Sequence, residues 1–216
     1  KMPLIGDHAP EFHAMTTQGK IDFPADYKGS WVVLFSHPAD FTPVCTTEFI
    51  ALSRMNETFE SLNTKLIGLS IDSLHSHLGW IKSIEALNFN NEGKVKIPFP
   101  IIADISMNVA KKYGMLQTVA NTQTVRAVFI IDPEGIIRTI LYYPMSTGRN
   151  IPEIIRILRS LQLNDKTHYS TPANWQPGDD VVMGAPLTIE EAQERLESSD
   201  NTIKPLDWYL TMKKMK

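Results

Sequence analysis

A strand, a proline-containing turn and an amphipathic helix follow one another directly, and this succession constrains the fold more than any other stretch of the 216-residue chain. Residues 31–35 read Trp-Val-Val-Leu-Phe, an apolar run of the length expected for a buried strand. From Phe49 to Leu62, apolar residues recur every three or four positions, which predicts a helix with one buried face. Pro38 and Pro43 restrict the backbone between these two elements. The sequence therefore predicts a core strand that leads through a rigid turn into a helix.

The first turn of that helix holds Cys45, the only cysteine of the chain. Unpaired backbone N–H groups and the positive end of the helix dipole favour a thiolate over a thiol at this position, and the thiolate is the nucleophilic form. Thr42, three residues earlier, is placed to cap the helix or to direct its hydroxyl toward the sulfur. A lone cysteine is more often a buried structural residue, but the strand, turn and helix start around Cys45 favour a nucleophile.

Outside this stretch, residues 1–163 alternate between short apolar runs and helical patterns. The predicted elements, in chain order, are a hairpin within residues 2–27, a strand at 65–71, a helix at 72–87, a strand within 94–104, a helix at 106–113, two strands at 127–132 and 136–143, and a helix at 151–161. Strands that alternate with helices and end in a hairpin predict an α/β fold with a mixed central sheet flanked by helices.

The character of the sequence changes after residue 163. Residues 164–216 form an arm interrupted by prolines, in which only residues 188–197 have a helical pattern. Trp175, Trp208 and Tyr209 are too large for so short and irregular a segment to bury by itself. We therefore expect these aromatic residues to pack either on the main domain or on another subunit.

Composition excludes several classes of function. A net charge of −3 gives no reason to expect a nucleic-acid partner, and no apolar run approaches the roughly 20 residues of a membrane span. A single cysteine rules out an internal disulfide framework and fits a reducing compartment, so we expect a cytoplasmic protein. His75 and His77 are two residues apart on a predicted helix and point in different directions, so we expect no metal site there.

Pro38, Thr42 and Cys45, in the order Pro-x-x-x-Thr-x-x-Cys, resemble the active-site motif of the peroxiredoxins. Residues 36–48 read Ser-His-Pro-Ala-Asp-Phe-Thr-Pro-Val-Cys-Thr-Thr-Glu, which resembles the branch with the one-cysteine peroxiredoxins and their archaeal and bacterial relatives. The similarity continues in the segments at 97–104, 124–132, 142–144 and 147–150. The resemblance implies a thioredoxin-like peroxidase domain in residues 1–163 and an enzyme without metal, flavin or haem cofactors.

The resemblance also implies roles for the residues around the thiol. Cys45 attacks the peroxide, and Arg126 lies beside it, where a permanently charged guanidinium with forked donors holds both thiolate and peroxide. Thr42 is assigned to hydrogen-bonding the peroxide. Pro38 is assigned to shielding the site and shaping its turn.

Three further residues are expected to support this site. By resemblance, Glu48 orients an arginine, and Arg149 is a second cation in the same network. His37 has two alternatives, because its neighbours in the motif place it close to the site. It either faces the substrate, as in relatives, or makes a structural hydrogen bond.

One departure from archaeal relatives predicts how the enzyme is recycled. Those relatives carry further cysteines on both sides of a Leu-Asp-Trp-like motif in the arm, where this chain has Pro205 and Thr211. We therefore expect a one-cysteine mechanism, in which Cys45 reduces hydrogen peroxide or an organic hydroperoxide, becomes a sulfenic acid and is recycled by an external thiol.

The resemblance favours another subunit as the surface that covers the arm, because relatives use such an arm in their dimer. We expect a homodimer or a ring of dimers, with residues 164–216 as the dimerisation arm. Two other roles stay open, a redox-linked holdase chaperone and a peroxide sensor that passes oxidation to a partner protein.

Overall fold

The computed structural model describes residues 2–118 and 122–215. The chain divides into two compact units, residues 1–151 and residues 152–216. In the described residues, the strands and helices are β1 Phe12–Thr16, β2 Gly19–Phe23, β3 Trp31–Ser36, α1 Pro43–Arg54, α2 Asn56–Ser61, β4 Thr64–Ser70, α3 Leu74–Ala86, β5 Ile101–Ala103, α4 Asn108–Tyr113, β6 Arg126–Ile131, β7 Ile137–Tyr143, α5 Ile151–Thr167, β8 Val181–Val182, α6 Ile189–Leu196, β9 Ile203–Pro205 and β10 Thr211–Lys213.

The first unit is built on a mixed sheet in the order β2-β1-β5-β4-β3-β6-β7, counted over the described residues. The neighbours β3, β4 and β5 run parallel, whereas β6 pairs antiparallel with β3 on one side and with β7 on the other. All six residues of β3 and all six of β6 are buried, and the apolar runs at 31–35 and 127–131 suit the middle of a sheet. The predicted α/β fold, with a mixed sheet flanked by helices, is confirmed.

The pairing of β3 with β6 determines where the site forms. Because the two strands are antiparallel, the end of β3 lies beside the beginning of β6, with Phe35 opposite Val128. Ser36 strengthens this junction, since its hydroxyl donates to the carbonyl of Val125 at 2.6 Å and accepts from the N–H of Ala127 at 3.2 Å. The turn that follows β3 therefore meets the first residue of β6.

The helix after β3 is shorter than the sequence predicts. It ends at Arg54, and α2 starts anew at Asn56. Within α1, the ring of Phe49 packs edge-on against Phe35 of β3, with 5.5 Å between the centroids. Gly68 of β4 allows this approach, because a Cβ atom there would lie 3.3 Å from both rings. Close packing of the strand pair against α1 fixes the position of the helix.

The second unit contains most of α5, the helix α6 and an antiparallel sheet in the order β8-β10-β9, counted over the described residues. The sequence predicted α6 but none of these three short strands. Thr188 begins α6 as predicted, because its hydroxyl accepts the N–H of Glu191 at 3.1 Å. The irregular sequence of the arm therefore contains more hydrogen-bonded structure than its prolines indicate.

The aromatic residues of the second unit are not equivalent. Trp175 is 3% exposed, and its indole N–H donates to the carbonyl of Asp179 at 3.2 Å. The expectation that another subunit must cover Trp175 is therefore wrong, since a single chain buries it. Trp208 and Tyr209 are 46% and 54% exposed and contact each other edge-to-face.

A helix that crosses a membrane must be both long and apolar. Over residues 2–118 and 122–215, no helix combines the two properties.

Candidate active site

Cys45 is the third residue of α1 and is completely buried. Pro43 begins the helix at a position where a missing N–H costs nothing. Thr42 precedes it with an extended backbone, but its side chain makes no cap hydrogen bond within the described chain. Its hydroxyl instead donates to the carbonyl of Ala39 at 2.7 Å. Of the two alternatives predicted for Thr42, the structure excludes the cap, and the Thr42 oxygen keeps its lone pairs for another donor.

The turn between β3 and α1 has an uncommon backbone. Phe41 has a φ of 56°, in the left-handed region that residues other than glycine rarely adopt. Two contacts hold this conformation, the N–H of Asp40 to the carboxylate of Asp72 at 3.0 Å and the hydroxyl of Thr46 to the carbonyl of Thr42 at 2.7 Å. Pro38 is buried in the same turn, and its assignment as a shield of the site stays a prediction.

Arg126 is the charged residue that forms a hydrogen bond with the sulfur of Cys45 in the described part of the chain. Its Nη1 lies 3.2 Å from Sγ of Cys45, and the arginine is nearly fully buried at the start of β6. Its Nε and Nη2 donate to the carbonyl of Met145 at 2.9 and 2.7 Å. Sequence reasoning missed the role of Met145, because a backbone carbonyl belongs to every residue and leaves no signal in the sequence.

Glu48 links the two arginines of the site. One carboxylate oxygen accepts from Arg126 Nη1 at 2.6 Å and from Arg149 Nη2 at 2.9 Å, and the other accepts from Nε and the backbone N–H of Arg149 at 2.6 and 2.9 Å. Burial alone would raise the pKa of Glu48, but the hydrogen bonds and charge of Arg149, followed by the charge of Arg126, outweigh it and lower that pKa. Glu48 is therefore an ionised carboxylate between two guanidinium groups.

Arg149 is held from several sides. Besides Glu48, its Nη1 donates to the carbonyls of Ser36 and Ala127 at 2.8 and 2.9 Å, and its guanidinium lies 5.4 Å from the centre of the Phe35 ring. These contacts tie the ends of β3 and β6 to α1. The structure thus places Arg149 in the network expected from the sequence, one carboxylate away from Arg126.

The sulfur, Glu48 and the two arginines form one buried group of charges. Arg126 and Arg149 carry two positive charges, whereas Glu48 supplies one negative charge. With a thiol at Cys45 the group has a net charge of +1, and with a thiolate it is neutral. Because an uncompensated buried charge is costly, this group is suited to receive one further negative charge.

His37 lies directly after β3 and is completely buried. Its Nε2 is hydrogen-bonded to Asp40 at 2.7 Å, and its ring packs against Phe49 and Trp80, with centroids 4.9 Å away in each case. Burial lowers the pKa of His37 and outweighs the hydrogen bond to Asp40, which acts in the opposite direction. Its Nδ1 has no hydrogen-bond partner in the described part of the chain. Nε2 therefore makes a structural hydrogen bond, whereas the alternative that the ring faces the substrate stays a prediction.

Sequence reasoning also missed the partners of His37. Asp40 accepts from His37 with one carboxylate oxygen, and its other oxygen contacts His77 Nδ1 at 2.6 Å and Ser76 Oγ at 2.9 Å. His77 points into the protein, while His75 on the same helix is exposed. The alternation of the two histidines was predictable, but their spacing does not reveal that one of them meets Asp40.

Within the described residues, His37, Asp40 and His77 also form a group whose potential metal-ligand atoms all lie within 4.8 Å of one another. The two N–O distances to Asp40 are 2.7 and 2.6 Å, which is the ordinary range of a hydrogen bond. Two ligand atoms of a tetrahedral zinc ion are about 3.3 Å apart, given metal–ligand distances of about 2.0 Å. The geometry therefore suits shared protons better than a shared metal ion.

Comparison with known proteins shows which family this chain belongs to. The model of the AhpC/TSA family matches residues 5–140, and the model of the C-terminal domain of 1-Cys peroxiredoxin matches residues 160–199. A peroxiredoxin of Methanosarcina mazei is 58% identical over 215 residues, which cover 99% of this chain and 98% of that protein.

Solved structures with the same fold cover almost the whole chain. A yeast mitochondrial 1-Cys peroxiredoxin has a TM-score of 0.85 and 42% identity, covering 99% of this chain and 100% of the other. A mutant of Peroxiredoxin 6 from Arenicola marina, with serine in place of a cysteine, has a TM-score of 0.83 and 36% identity, with 99% of both chains covered. The predicted thioredoxin-like fold is confirmed by these two structures.

Proposed function

Because the chain belongs to the AhpC/TSA family and is a one-cysteine peroxiredoxin, a thiol peroxidase, we propose that Cys45 attacks the peroxide and that Arg126 stabilises the charges of that reaction. The observation that carries this proposal is the 3.2 Å contact between Arg126 Nη1 and Cys45 Sγ in a buried site. The charge balance with Glu48 and Arg149 supports it, because the buried group is neutral when Cys45 is a thiolate.

In the first step, the thiolate of Cys45 attacks one oxygen of the hydroperoxide. An S–O bond forms and the O–O bond breaks, which leaves a sulfenic acid and an alkoxide or hydroxide that takes up a proton and departs as alcohol or water. Negative charge leaves the sulfur and builds on the departing oxygen, so a guanidinium that contacts the sulfur stabilises the transition state. Arg126 is in position to do so, because Glu48 and the carbonyl of Met145 fix its orientation.

Thr42 and His37 are assigned to the peroxide itself. The proton of the Thr42 hydroxyl is directed to Ala39, so the Thr42 oxygen accepts a hydrogen bond from the O–H of the substrate. His37 Nδ1 is a second acceptor, and Pro38 closes the turn between them. The substrates proposed on this basis are hydrogen peroxide and small organic hydroperoxides.

In the second step, an external thiol attacks the sulfenic acid and releases water, which gives a mixed disulfide. A second thiol then restores Cys45 and leaves as the oxidised disulfide. The chain has no second cysteine to form an internal disulfide. The yeast mitochondrial relative resolves its thiol through glutathione and thioredoxin systems, and we infer a small thiol or a partner's thiol here as well. The thiols supply two electrons and the peroxide accepts them, so no cofactor is required.

The second unit is proposed to join subunits into a homodimer or a ring of dimers. Trp208 and Tyr209 support this inference, because large aromatic side chains exposed together mark contact surfaces. We further propose a reducing compartment, the cytoplasm, and no nucleic-acid partner, in keeping with the single thiol and the net charge of −3.

The test is consumption of hydrogen peroxide and of an organic hydroperoxide with a panel of thiol donors, using the native chain and Cys45→Ser. The native enzyme is expected to turn over with at least one donor, and the variant is expected to be inactive. If the variant keeps its peroxidase activity, Cys45 is not the nucleophile. If neither protein reduces peroxide but both suppress aggregation of a client protein, a holdase function replaces the proposal.

A second experiment tests the one-cysteine mechanism. One equivalent of peroxide without a thiol donor should leave mainly monomer on a non-reducing gel, with one added oxygen on the Cys45 peptide by mass spectrometry. Excess peroxide should add two and three oxygens while activity falls in parallel. A rapidly formed, dominant disulfide-linked dimer would contradict this mechanism and leave the peroxidase assignment intact.

A further inference from the structure

The group formed by His37, Asp40 and His77 enters the chemistry described above only through His37, and Asp40 and His77 have no assigned role in it. It joins three elements, because His37 directly follows β3, Asp40 lies in the turn before α1 and His77 lies on α3. All three residues are buried. Their hydrogen bonds are sufficient to assign the protons of both imidazole rings.

His77 contacts acceptors with both of its ring nitrogens. Nδ1 lies 2.6 Å from a carboxylate oxygen of Asp40, and Nε2 lies 3.0 Å from the carbonyl oxygen of Ile102. A carbonyl oxygen only accepts, and so does a carboxylate oxygen. Each contact is a hydrogen bond only if its nitrogen carries a proton. Both contacts are hydrogen bonds at the same time only in the doubly protonated ring, the imidazolium.

Asp40 is the counter-ion of that charge. Burial by itself would raise the pKa of Asp40, but the hydrogen bonds from His37 and then from His77 outweigh burial and hold that pKa well below its usual range. Ser76 Oγ also donates to the carboxylate of Asp40, and the backbone N–H of Asp40 donates to the carboxylate of Asp72. An ionised Asp40 accepts from every group that faces it, so its contact with His37 Nε2 requires a proton on that nitrogen.

The remaining nitrogen of His37 is then defined as well. Burial lowers the pKa of His37, which keeps the ring neutral. With the proton on Nε2, the lone pair is on Nδ1, the atom without a hydrogen-bond partner in the described residues. The ring packs on Phe49, which is one helical turn after Cys45 and on the same face of α1. The lone pair thus belongs to a ring that borders the active site.

We propose that His77 is a buried imidazolium, and that its ion pair with Asp40 locks His37 as the neutral Nε2–H tautomer, with Nδ1 as a permanent acceptor for the O–H of the bound peroxide. Asp40 and His77 are thus positioning residues that act through His37. The role of Nδ1 toward peroxide rests on the proposed function, whereas the protonation of His77 and the tautomer of His37 do not.

The protonation states are measured by NMR of the full-length chain labelled with ¹⁵N-histidine, at about pH 7.5. An unperturbed histidine, with a pKa of about 6.5, is only about one-tenth charged at that pH. We expect two protonated nitrogens for His77 and one, Nε2, for His37. Assignment uses the loss of signals in His77→Gln, with His75→Gln as the control on the exposed face of α3. The proposal would be overturned by a neutral His77 or by an Nδ1–H tautomer of His37. It would also be overturned if the protein held one equivalent of metal and its removal by a chelator changed these signals.

Asp40→Asn tests the effect on the reaction with almost no change of shape. Its amide replaces one acceptor oxygen by a donor, so one of the two histidines must give up the proton that it presents to residue 40. We expect a change of tautomer or charge in the NMR signals, and kcat/KM for peroxide lower by about tenfold, on the scale of one lost transition-state hydrogen bond. The rate of recycling by thiol should not change. Unchanged signals and an unchanged peroxide rate would contradict the proposal.

The two readouts separate the possible failures. If the native chain shows the expected protonation but no peroxidase activity, the proposed function fails and the ion pair stands. If peroxide is reduced but His77 is neutral, the ion pair fails and the function stands. Should Asp40→Asn fail to fold, the signals of the native chain still decide the question.

Discussion

The active site buries charged side chains, whereas the C-terminal end of the chain exposes large apolar ones. In the first unit, Glu48, Arg126 and Arg149 are charged and almost completely buried. In the second unit, Trp208 and Leu187 are apolar, yet 46% and 93% exposed. Buried charges and exposed large apolar groups are both uncommon, and each requires an explanation. The first marks a site of chemistry and the second marks a surface for contact.

The comparison teaches that a substitution has different consequences in the two regions. A buried charge is stable only while its partner is present. Removing one partner therefore lowers the free energy of unfolding and also disturbs the geometry of the site. An exposed aromatic side chain contributes little to the stability of its own subunit, so its loss is felt in assembly. The predictions below test this contrast, beginning with the largest expected effect.

Replacing Arg126 by Met should slow peroxide reduction by about 10²-fold to 10³-fold, because the variant loses the charged donor 3.2 Å from the sulfur. The rate is measured by rapid mixing of the reduced enzyme with peroxide. Arg54→Met is the matched control, since Arg54 pairs with the exposed Glu92, and its rate should stay near the native value. A native rate in the Arg126 variant would mean that another group stabilises the charge.

Replacing Glu48 by Gln should lower the free energy of unfolding by about 3–5 kcal/mol, because two buried arginines lose their shared counter-charge. Urea unfolding monitored by circular dichroism measures this. Glu57→Gln, at an exposed position of α2, is the control and should change the free energy by no more than about 0.5 kcal/mol. Equal stability of the two variants would show that the buried network contributes little.

The two tryptophans of the second unit should differ in the same measurement. Trp175→Ala removes a buried side chain and should cost about 3–5 kcal/mol. Trp208→Ala removes an exposed one and should cost less than about 0.5 kcal/mol. The comparison is made under conditions where both proteins are monomeric. A large loss for Trp208 in the monomer would show that its exposure is not the normal state of the chain.

Assembly into oligomers should depend on the exposed aromatic residues of the second unit. The double variant Trp208→Ser, Tyr209→Ser should shift the proposed oligomer toward monomers in analytical ultracentrifugation, because it removes the exposed aromatic pair. Leu4→Ser, which changes an exposed apolar residue of the first unit, is the control. If both variants sediment like the native chain, the aromatic pair is not part of the interface.

The smallest expected effect is a dependence of the Glu48 contribution on pH. The pKa of Glu48 is lower in the folded chain than in the unfolded one, so its stabilisation is present above the unfolded value of about 4.3 and is lost as the pH falls through the folded value. The difference in unfolding free energy between the native chain and Glu48→Gln should therefore shrink as the pH is lowered below about 5. A constant difference over that range would contradict the assigned charge state.

Much of this protein was determined by the sequence alone. The run at residues 31–35, the helical pattern after it and the position of Cys45 are local, and each is encoded within a few consecutive residues. The motif around Cys45 was specific enough to identify the family. The absence of a second cysteine is likewise a property of the sequence, and it limits the chemistry whatever the fold.

The tertiary structure decided which distant groups meet. Arg149 contacts Glu48 across 101 positions, and His77 contacts Asp40 across 37. Such contacts depend on the register of β3 with β4 and β6, which no local pattern encodes. The same reason explains why resemblance could point to Glu48 and Arg149 while nothing in the sequence pointed to His77 or the carbonyl of Met145. The burial of Trp175 and the exposure of Trp208 differ for this reason too, since side chains of one type are distinguished only by what the folded chain places around them.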